Sequence, residues 1–174
     1  MITSDYIDFI ANQSAFGTDQ GPKPLTDQIK AGDYQMGYLT LYGLPIAIEQ
    51  PRNSVRCRVD GKGHEWSNVM ASHYGYIIGT KGADGDEVDV FIGTYPESET
   101  VFVIDQAFNG RFDEHKVMLA FPDARSARDA YLKSYDEGWQ GFGAITAVSI
   151  PDFCTWLRSG DCSRPFSNTQ RATN

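Results

Sequence analysis

Two rhythms of apolar and polar positions divide the chain. From about residue 35, apolar side chains alternate with polar ones, the period of half-buried strands. At residues 4–12 and again beyond residue 123 they return every third or fourth position, the period of a helix. Tyr38-Leu39-Thr40-Leu41-Tyr42 and Ile46-Ala47-Ile48-Glu49 flank Gly43-Leu44-Pro45 and predict two strands joined by a turn. Ser54 to Val59 alternates into Asp60-Gly61-Lys62-Gly63, a hairpin signal, with His64 to Met70 as the return strand. Tyr74 to Ile78, Val88 to Ile92, Thr100 to Asp105 and His115 to Phe121 predict four more strands, with a turn at Asn109-Gly110. Ala127, Ala130, Tyr131 and Ser134 then fall at helical spacing within Ala124 to Tyr135, with Asp123 as cap. Ile145 to Ile150 predicts a last strand, and Asp152 to Leu157 a short helix with Pro151 in its first turn. At the start, Ser4 or Asp5 caps a helix that places Ile7 and Ile10 on one face.

Residues 13–33, rich in Gly, Pro, Asp and Gln, predict an irregular arm, and the polar stretch from Gly160 a frayed end. The expected organisation is an N-terminal helix and arm (1–34), a folded domain (35–160) and a flexible tail (161–174). Many short strands with tight turns, followed by helices, predict an α+β fold: a small closed, OB-like β-barrel with flanking helices. The arm is a candidate for packing on a partner, whether a second copy in a homo-oligomer or another protein.

Composition narrows the function classes. A chain of 174 residues can bury a core, and 41% hydrophobic with 22% charged residues is ordinary for a globular protein. No apolar run of about 18 residues predicts a membrane span. The first residues lack the basic and apolar regions of a secretory signal, so a cytoplasmic location is expected. The 3 cysteines (Cys57, Cys154 and Cys162) form no paired framework and read as reduced thiols. A net charge of -8 argues against nucleic acid as a partner and is compatible with binding divalent cations.

The acidity concentrates informatively in Asp84-Gly85-Asp86-Glu87-Val88-Asp89. Asp84 and Asp86 fall before a predicted strand. Asp89 falls inside it, between Val88 and Val90, where an unpaired carboxylate is costly to bury. A bound cation offsets that cost, and oxygen-only ligands favour Mg²⁺ or Mn²⁺ over zinc. A solvated acidic turn accounts for Asp84-Gly85-Asp86 equally well. An EF-hand does not fit, because a loop of that kind starting at Asp84 would close on Tyr95 rather than on a bidentate Glu.

Together with Tyr74-Gly75-Tyr76-Ile77, the loop gives YGYI followed at a short spacing by DGDxxDVFI. This resembles the signature of the family I inorganic pyrophosphatases. The resemblance implies a pyrophosphatase-type fold over residues 35–160, with Asp84, Asp86 and Asp89 as metal ligands. It implies that Asp86 helps deprotonate a metal-bridging water and that Tyr74 lines the phosphate pocket. Ile46-Ala47-Ile48-Glu49-Gln50-Pro51 is similar to the family's strand ending in an active-site glutamate, which would be Glu49. Asp113-Glu114-His115-Lys116 resembles the segment carrying a metal-binding carboxylate and a phosphate-binding lysine. Glu114 then stands where an aspartate is usual, Lys116 is the lysine, and Asp105 or Asp113 is a further metal ligand. Tyr135 matches a late phosphate-binding tyrosine.

Departures accompany the match. Arg56-Cys57-Arg58 stands where the family has Lys-x-Glu, which removes a carboxylate and makes Arg56, Arg58 and Lys62 candidates for phosphate binding. Glu87 replaces a proline, and Tyr135 is not followed by lysine. GKxxxW, GADGDxVDVFIG, VFVxDQ, RFDEHKVML and AYL…GWxGxGAIT resemble blocks of a pyrophosphatase-like domain found in phage and prophage proteins, over about residues 35–158. That likeness implies action in a host cytoplasm.

The implied reaction is Mg²⁺- or Mn²⁺-dependent hydrolysis of pyrophosphate or another phosphoanhydride, with Lys116 and nearby arginines offsetting developing charge. Two alternatives stand beside it. One is a binding module that keeps the fold and engages a host or virion protein, and the other is a hydrolase of a nucleotide-type substrate. His64, His73 and His115 show no ligand spacing, and Trp66, Trp139 and Trp156 read as packing residues. Tyr76 reads as core, Gly141-Phe142-Gly143 as a turn, and Arg125 and Arg128 as a solvated helix face.

Overall fold

The computed structural model describes residues 1–17 and 33–169. The elements in chain order are α1 (Ser4–Phe16), β1 (Gly37–Leu41), β2 (Leu44–Gln50), β3 (Val55–Val59), β4 (Glu65–Val69), β5 (His73–Ile77), β6 (Val88–Ile92), β7 (Thr100–Phe108) and β8 (Arg111–Leu119). They continue with α2 (Ala124–Lys133), β9 (Phe142–Ser149), α3 (Ile150–Ser159) and the single turn α4 (Phe166–Thr169). The tight turns form where the sequence places residues tolerant of positive φ. Tyr42 and Gly43 (56° and 76°) join β1 to β2, one step earlier than the Gly43-Leu44-Pro45 expectation, and Asn109 and Gly110 (51° and 74°) join β7 to β8. Asp60 accepts the N–H groups of Lys62 and His64 and so closes the β3–β4 hairpin.

Seven strands form one sheet in the order β1-β2-β5-β6-β8-β7-β9, and β3 and β4 pair only with each other. All neighbours are antiparallel except β6 and β8, which run parallel. The expected closed barrel is not what forms, since β1 and β9 are free edges of an open sheet. Period-two alternation specifies strands and their faces but not closure. Here helices cover both faces, so the apolar surface that a barrel would turn inward is buried beneath them.

One face carries Ile46, Ile48, Ile77, Val90, Val103, Val117 and Leu119. It packs with Ile7 and Ala11 of α1, Phe153 and Trp156 of α3, and Phe166 of α4. The other carries Tyr74, Phe91, Phe102, Ile104 and Met118, and packs with Ala127 and Tyr131 of α2. Helix α1 therefore belongs to the same core as the sheet. Thr3, rather than Ser4 or Asp5, caps it by accepting the Tyr6 N–H (3.2 Å).

Of the segment read as an irregular arm, residues 13–16 belong to α1, which runs on to Phe16, and residues 18–32 lie outside the described part. The end read as a frayed tail docks through α4: Phe166 is buried, and the N–H groups of Phe166 and Ser167 donate to Asp105. An isolated aromatic in a polar stretch carries no period, so the sequence gives no sign of this docking. Among the described residues, no helix is long and apolar enough to cross a membrane.

Candidate active site

Strand alternation places the candidate chemistry. Residues of one parity bury Ile77, Val88, Val90, Val117 and Leu119 against α1 and α3, which sends Tyr74, Asp89, Glu114 and Lys116 to the opposite face, under α2. The ladders bring them together across strands: Asp89 of β6 is opposite Lys116 of β8, which is opposite Ile104 of β7, and Glu114 is opposite Gln106. Glu49 joins from β2 at a bulge, where the register between Ile48 and Gln50 slips by one residue. Gly75 allows β2 this close: a Cβ there would lie 1.8 Å from the Ala47 carbonyl oxygen.

Lys116 is the centre. Its side chain is 5% exposed, and its ammonium pairs with Asp89, with Glu114 Oε1 at 2.9 Å and with the Tyr74 hydroxyl at 3.3 Å. An ammonium has three N–H donors, so all of them are engaged within the protein. Burial works against its charge, but the oxygens of Tyr74, Tyr135, Asp89 and Glu114 outweigh it and hold the ammonium well above its ordinary pKa. Tyr74 donates its proton to Asp89 (2.7 Å). Burial pushes its phenol up to about 12, with Asp89 adding to the rise and Lys116 and Arg56 opposing it.

Glu49 is held above the usual carboxylate range, chiefly by burial and then by the charge of Asp89; Arg58 and Arg56 pull it back and Glu87 adds to the rise. Glu114 is raised by burial, against the pull of Lys116, with Asp89 and Asp84 adding to the rise. The carboxylates thus crowd one region with like charge.

Arg56 reaches over this cluster from β3, its guanidinium 4.4 Å from the centre of the Tyr74 ring and 5.8 Å from that of Trp66. Its Nε is buried without a hydrogen-bond partner. Arg58 is exposed, donates to the Cys57 carbonyl (2.9 Å) and acts on Glu49 through its charge. Lys62 sits exposed in the hairpin turn, and no contact among the described residues ties it to the cluster.

Asp84 and Asp86 are exposed in the loop before β6, where the Asp86 N–H donates to Asp84 Oδ1 (3.1 Å) and Gly85 takes a φ of 96°. Asp113 is exposed and accepts from Gln106 (3.3 Å). Asp105, offered as an alternative to Asp113, faces the other side of the sheet. It is buried there against His115 and the N-terminus of α4, because one step along a strand reverses the face.

Sequence reasoning passed over two residues beside this cluster. Gln106, buried, donates to Asp113 and Glu114 and accepts from Tyr131 (2.8 Å) and Tyr135 (3.1 Å). Trp139, read as packing, stacks on Tyr135 with ring centres 4.6 Å apart and planes 6° apart, and its indole N–H donates to the Tyr131 hydroxyl (2.8 Å). The available signal was the parity of β7, which places Gln106 on the same face as Lys116. Arg128 of α2, read as part of a solvated helix face, is exposed, with its guanidinium 5.1 Å from the Phe142 ring centre.

The chemistry of this donor set fits a hard divalent cation: the groups are all carboxylates, and their mutual repulsion is the kind a cation relieves. Among the described residues, no three His, Cys, Asp or Glu side chains converge on one ion position. Asp89 and Glu114 turn to Lys116 instead.

The family profile described as Inorganic Pyrophosphatase matches residues 26–158. The chain belongs to the inorganic pyrophosphatase family. Two solved structures are similar to it. One is an inorganic pyrophosphatase from Coxiella burnetii, with 14% identity and a TM-score of 0.37, covering 65% of this chain and 89% of that one. The other is an inorganic phosphatase from Anaplasma phagocytophilum, with 14% identity and a TM-score of 0.33, covering 73% of this chain and 91% of that one. No curated protein matches the chain in sequence.

Proposed function

We propose that the protein hydrolyses a phosphoanhydride, with inorganic pyrophosphate as substrate, in a reaction that depends on Mg²⁺ or Mn²⁺. The observation that carries this reading is one meeting point on the α2 face of the sheet. A buried ammonium, a guanidinium with an unpaired N–H and a set of carboxylates come together there, in a chain of the pyrophosphatase family. Anion recognition needs the cations; carboxylates alone would repel the substrate. Water activation needs the carboxylates, because a lysine and an arginine alone would bind phosphate without producing a nucleophile.

Asp84, Asp86 and Asp89, with Glu114 and Asp113, are the residues that would hold the divalent ions. Bound there, such ions would lower the pKa of a coordinated water and neutralise phosphoryl oxygens. Asp86, exposed at the loop, receives the proton of the attacking water. Lys116 balances the charge of Asp89 and Glu114, and Tyr74 fixes Asp89 through its hydroxyl. Since the three N–H donors of Lys116 are engaged, first contact with the substrate falls to Arg56, supported by Arg58. The resemblance to phage and prophage proteins supports action in the cytoplasm of a host cell.

The test is release of phosphate from pyrophosphate by the purified protein with Mg²⁺. We expect turnover that falls by at least about a hundredfold in Asp86→Asn, the scale of losing a general base. Release no higher than the variant's background would remove this reading. A second reading, a binding module that retains the fold without turnover, is favoured by the pairing of Lys116 with Asp89 and Glu114. It predicts a stable complex with a host or virion protein and no Mg²⁺-dependent hydrolysis.

A further inference from the structure

Trp66 is half-buried, yet it packs in neither core, so its burial needs another explanation. The strands β3 and β4 pair only with each other, and neither core includes a residue of either strand. At its base the hairpin is tied by the Tyr34 hydroxyl, which donates to the Val55 carbonyl (3.1 Å). Alternation puts Arg56, Arg58, Trp66 and Asn68 on one face of the hairpin and the exposed Val55, Val59 and Val69 on the other. Trp66 stands directly opposite Arg58 and diagonal to Arg56, within reach of either. The diagonal partner is the one it meets. The Arg56 guanidinium lies 5.8 Å from the Trp66 ring centre and 4.4 Å from that of Tyr74, while Arg58 is exposed and donates to the Cys57 carbonyl.

We propose that Trp66 is a positioning residue: with Tyr74 it holds the guanidinium of Arg56 over the carboxylate cluster, set for phosphate. A guanidinium is planar, weakly hydrated and carries its N–H donors in its plane. Aromatic rings attract it through their π faces and take none of those donors. A carboxylate at the same place would hold Arg56 by occupying its donors and cancelling its charge. The Arg56 Nε, buried without a hydrogen-bond partner, fits a side chain held by rings. One ring belongs to the sheet and the other to the hairpin, so the same contact pins the hairpin to the site. The geometry stands by itself; its meaning for phosphate rests on the pyrophosphatase reading.

Two measurements on the full-length protein test this, with two variants that separate the ring from its bulk. Trp66→Phe keeps an aromatic ring, and Trp66→Leu keeps apolar bulk in the strand without one. The first measurement is hydrogen exchange at the Arg56 Nε–H by nuclear magnetic resonance. In the wild type and Trp66→Phe it should be at least about tenfold slower than at exposed Arg58, and Trp66→Leu should abolish the difference. The second is calorimetric binding of inorganic phosphate with Mg²⁺ present. Trp66→Leu should weaken it by about fivefold, the scale of one cation–π contact, and Trp66→Phe by less than about twofold. In an Arg56→Ala background, Trp66→Leu should add less than about twofold, because Trp66 acts through Arg56.

Fast exchange at the Arg56 Nε–H of the wild type overturns the proposal without any variant. So does equal behaviour of the Leu and Phe variants, since bulk rather than the ring would then matter. Faster exchange in Trp66→Leu with unchanged phosphate affinity also overturns it, because the held guanidinium would not serve the ligand. If the wild type binds no phosphate, the pyrophosphatase reading fails, and the exchange rates still decide whether Trp66 holds Arg56.

Discussion

Lys116 shows how a buried charge is held in place by its neighbours. Its ammonium is almost wholly buried, yet it keeps its charge because Asp89, Glu114 and Tyr74 surround it. Lys116→Met would remove the cation and leave two carboxylates facing each other. Removing one partner of a buried ion pair costs about 3–5 kcal/mol. The Asp89 and Glu114 side chains keep 21% and 18% exposure, so the loss belongs at the lower end. If these carboxylates also hold a divalent ion, Mg²⁺ should raise the thermal midpoint of the variant more than that of the wild type. Equal shifts would count against cation binding there.

Asp89 drew notice in the sequence because a charged residue between apolar strand residues needs an explanation, while Asp84, Asp86 and Lys116 were singled out through the family resemblance. Gln106 was not, since a neutral amide in an apolar strand carries no such signal. Its role appears only when β7 is set against Glu114 of β8 and beneath Tyr131 of α2. Between Asp105 and Asp113 the spacing left the choice open, and the parity of β7 turns Asp105 to the opposite face.

At the scale of elements, α1 braces the strands that carry the site. Asp8 accepts from Arg52 (2.5 Å), just past β2, and from His73 Nε2 (2.6 Å) in β5, while His73 Nδ1 accepts the Arg52 backbone N–H (2.9 Å). His73 is thereby fixed as a neutral tautomer beside Tyr74. Burial holds its pKa below 6.5, against the opposing pull of Asp8, with Arg52 adding to the depression. The unfolded chain then binds the proton more readily than the folded one. Stability is full above about 6.5, the unfolded value, and is lost as pH falls through the lower folded value. Urea unfolding at a series of pH values should show this decline, and His73→Gln should flatten it. An unchanged slope would mean that other groups govern the acid limb. Asp8→Ala should cost about 1–3 kcal/mol by leaving the buried imidazole N–H without an acceptor.

Alternation and turn residues made nearly every strand legible, as well as the hairpin at Asp60-Gly61-Lys62-Gly63. The open sheet edges were not, because closure depends on which strands meet, and that is decided by helices packing on both faces.

Across the whole molecule the sheet separates two tasks. Its α2 face gathers Glu49, Tyr74, Asp89, Gln106, Glu114 and Lys116, while the face beneath α1, α3 and α4 is mainly apolar and closed by Phe166. The ring of Phe166 meets Trp156 edge to face at 4.9 Å, and its N–H satisfies Asp105, which is buried with His115. Phe166→Ala should therefore cost about 3–5 kcal/mol, the range for deleting a buried aromatic. Because that cavity opens on the face away from Lys116, turnover and phosphate affinity measured well below the melting temperature should stay within about twofold of wild type, since a rigid core confines the change to the residues lining it. Asp86→Asn should do the reverse, abolishing turnover while moving the melting temperature little, as an exposed loop side chain allows. A loss of phosphate affinity in Phe166→Ala at a temperature where the protein remains folded would show that the two faces are coupled through the sheet, and the division of labour would have to be given up.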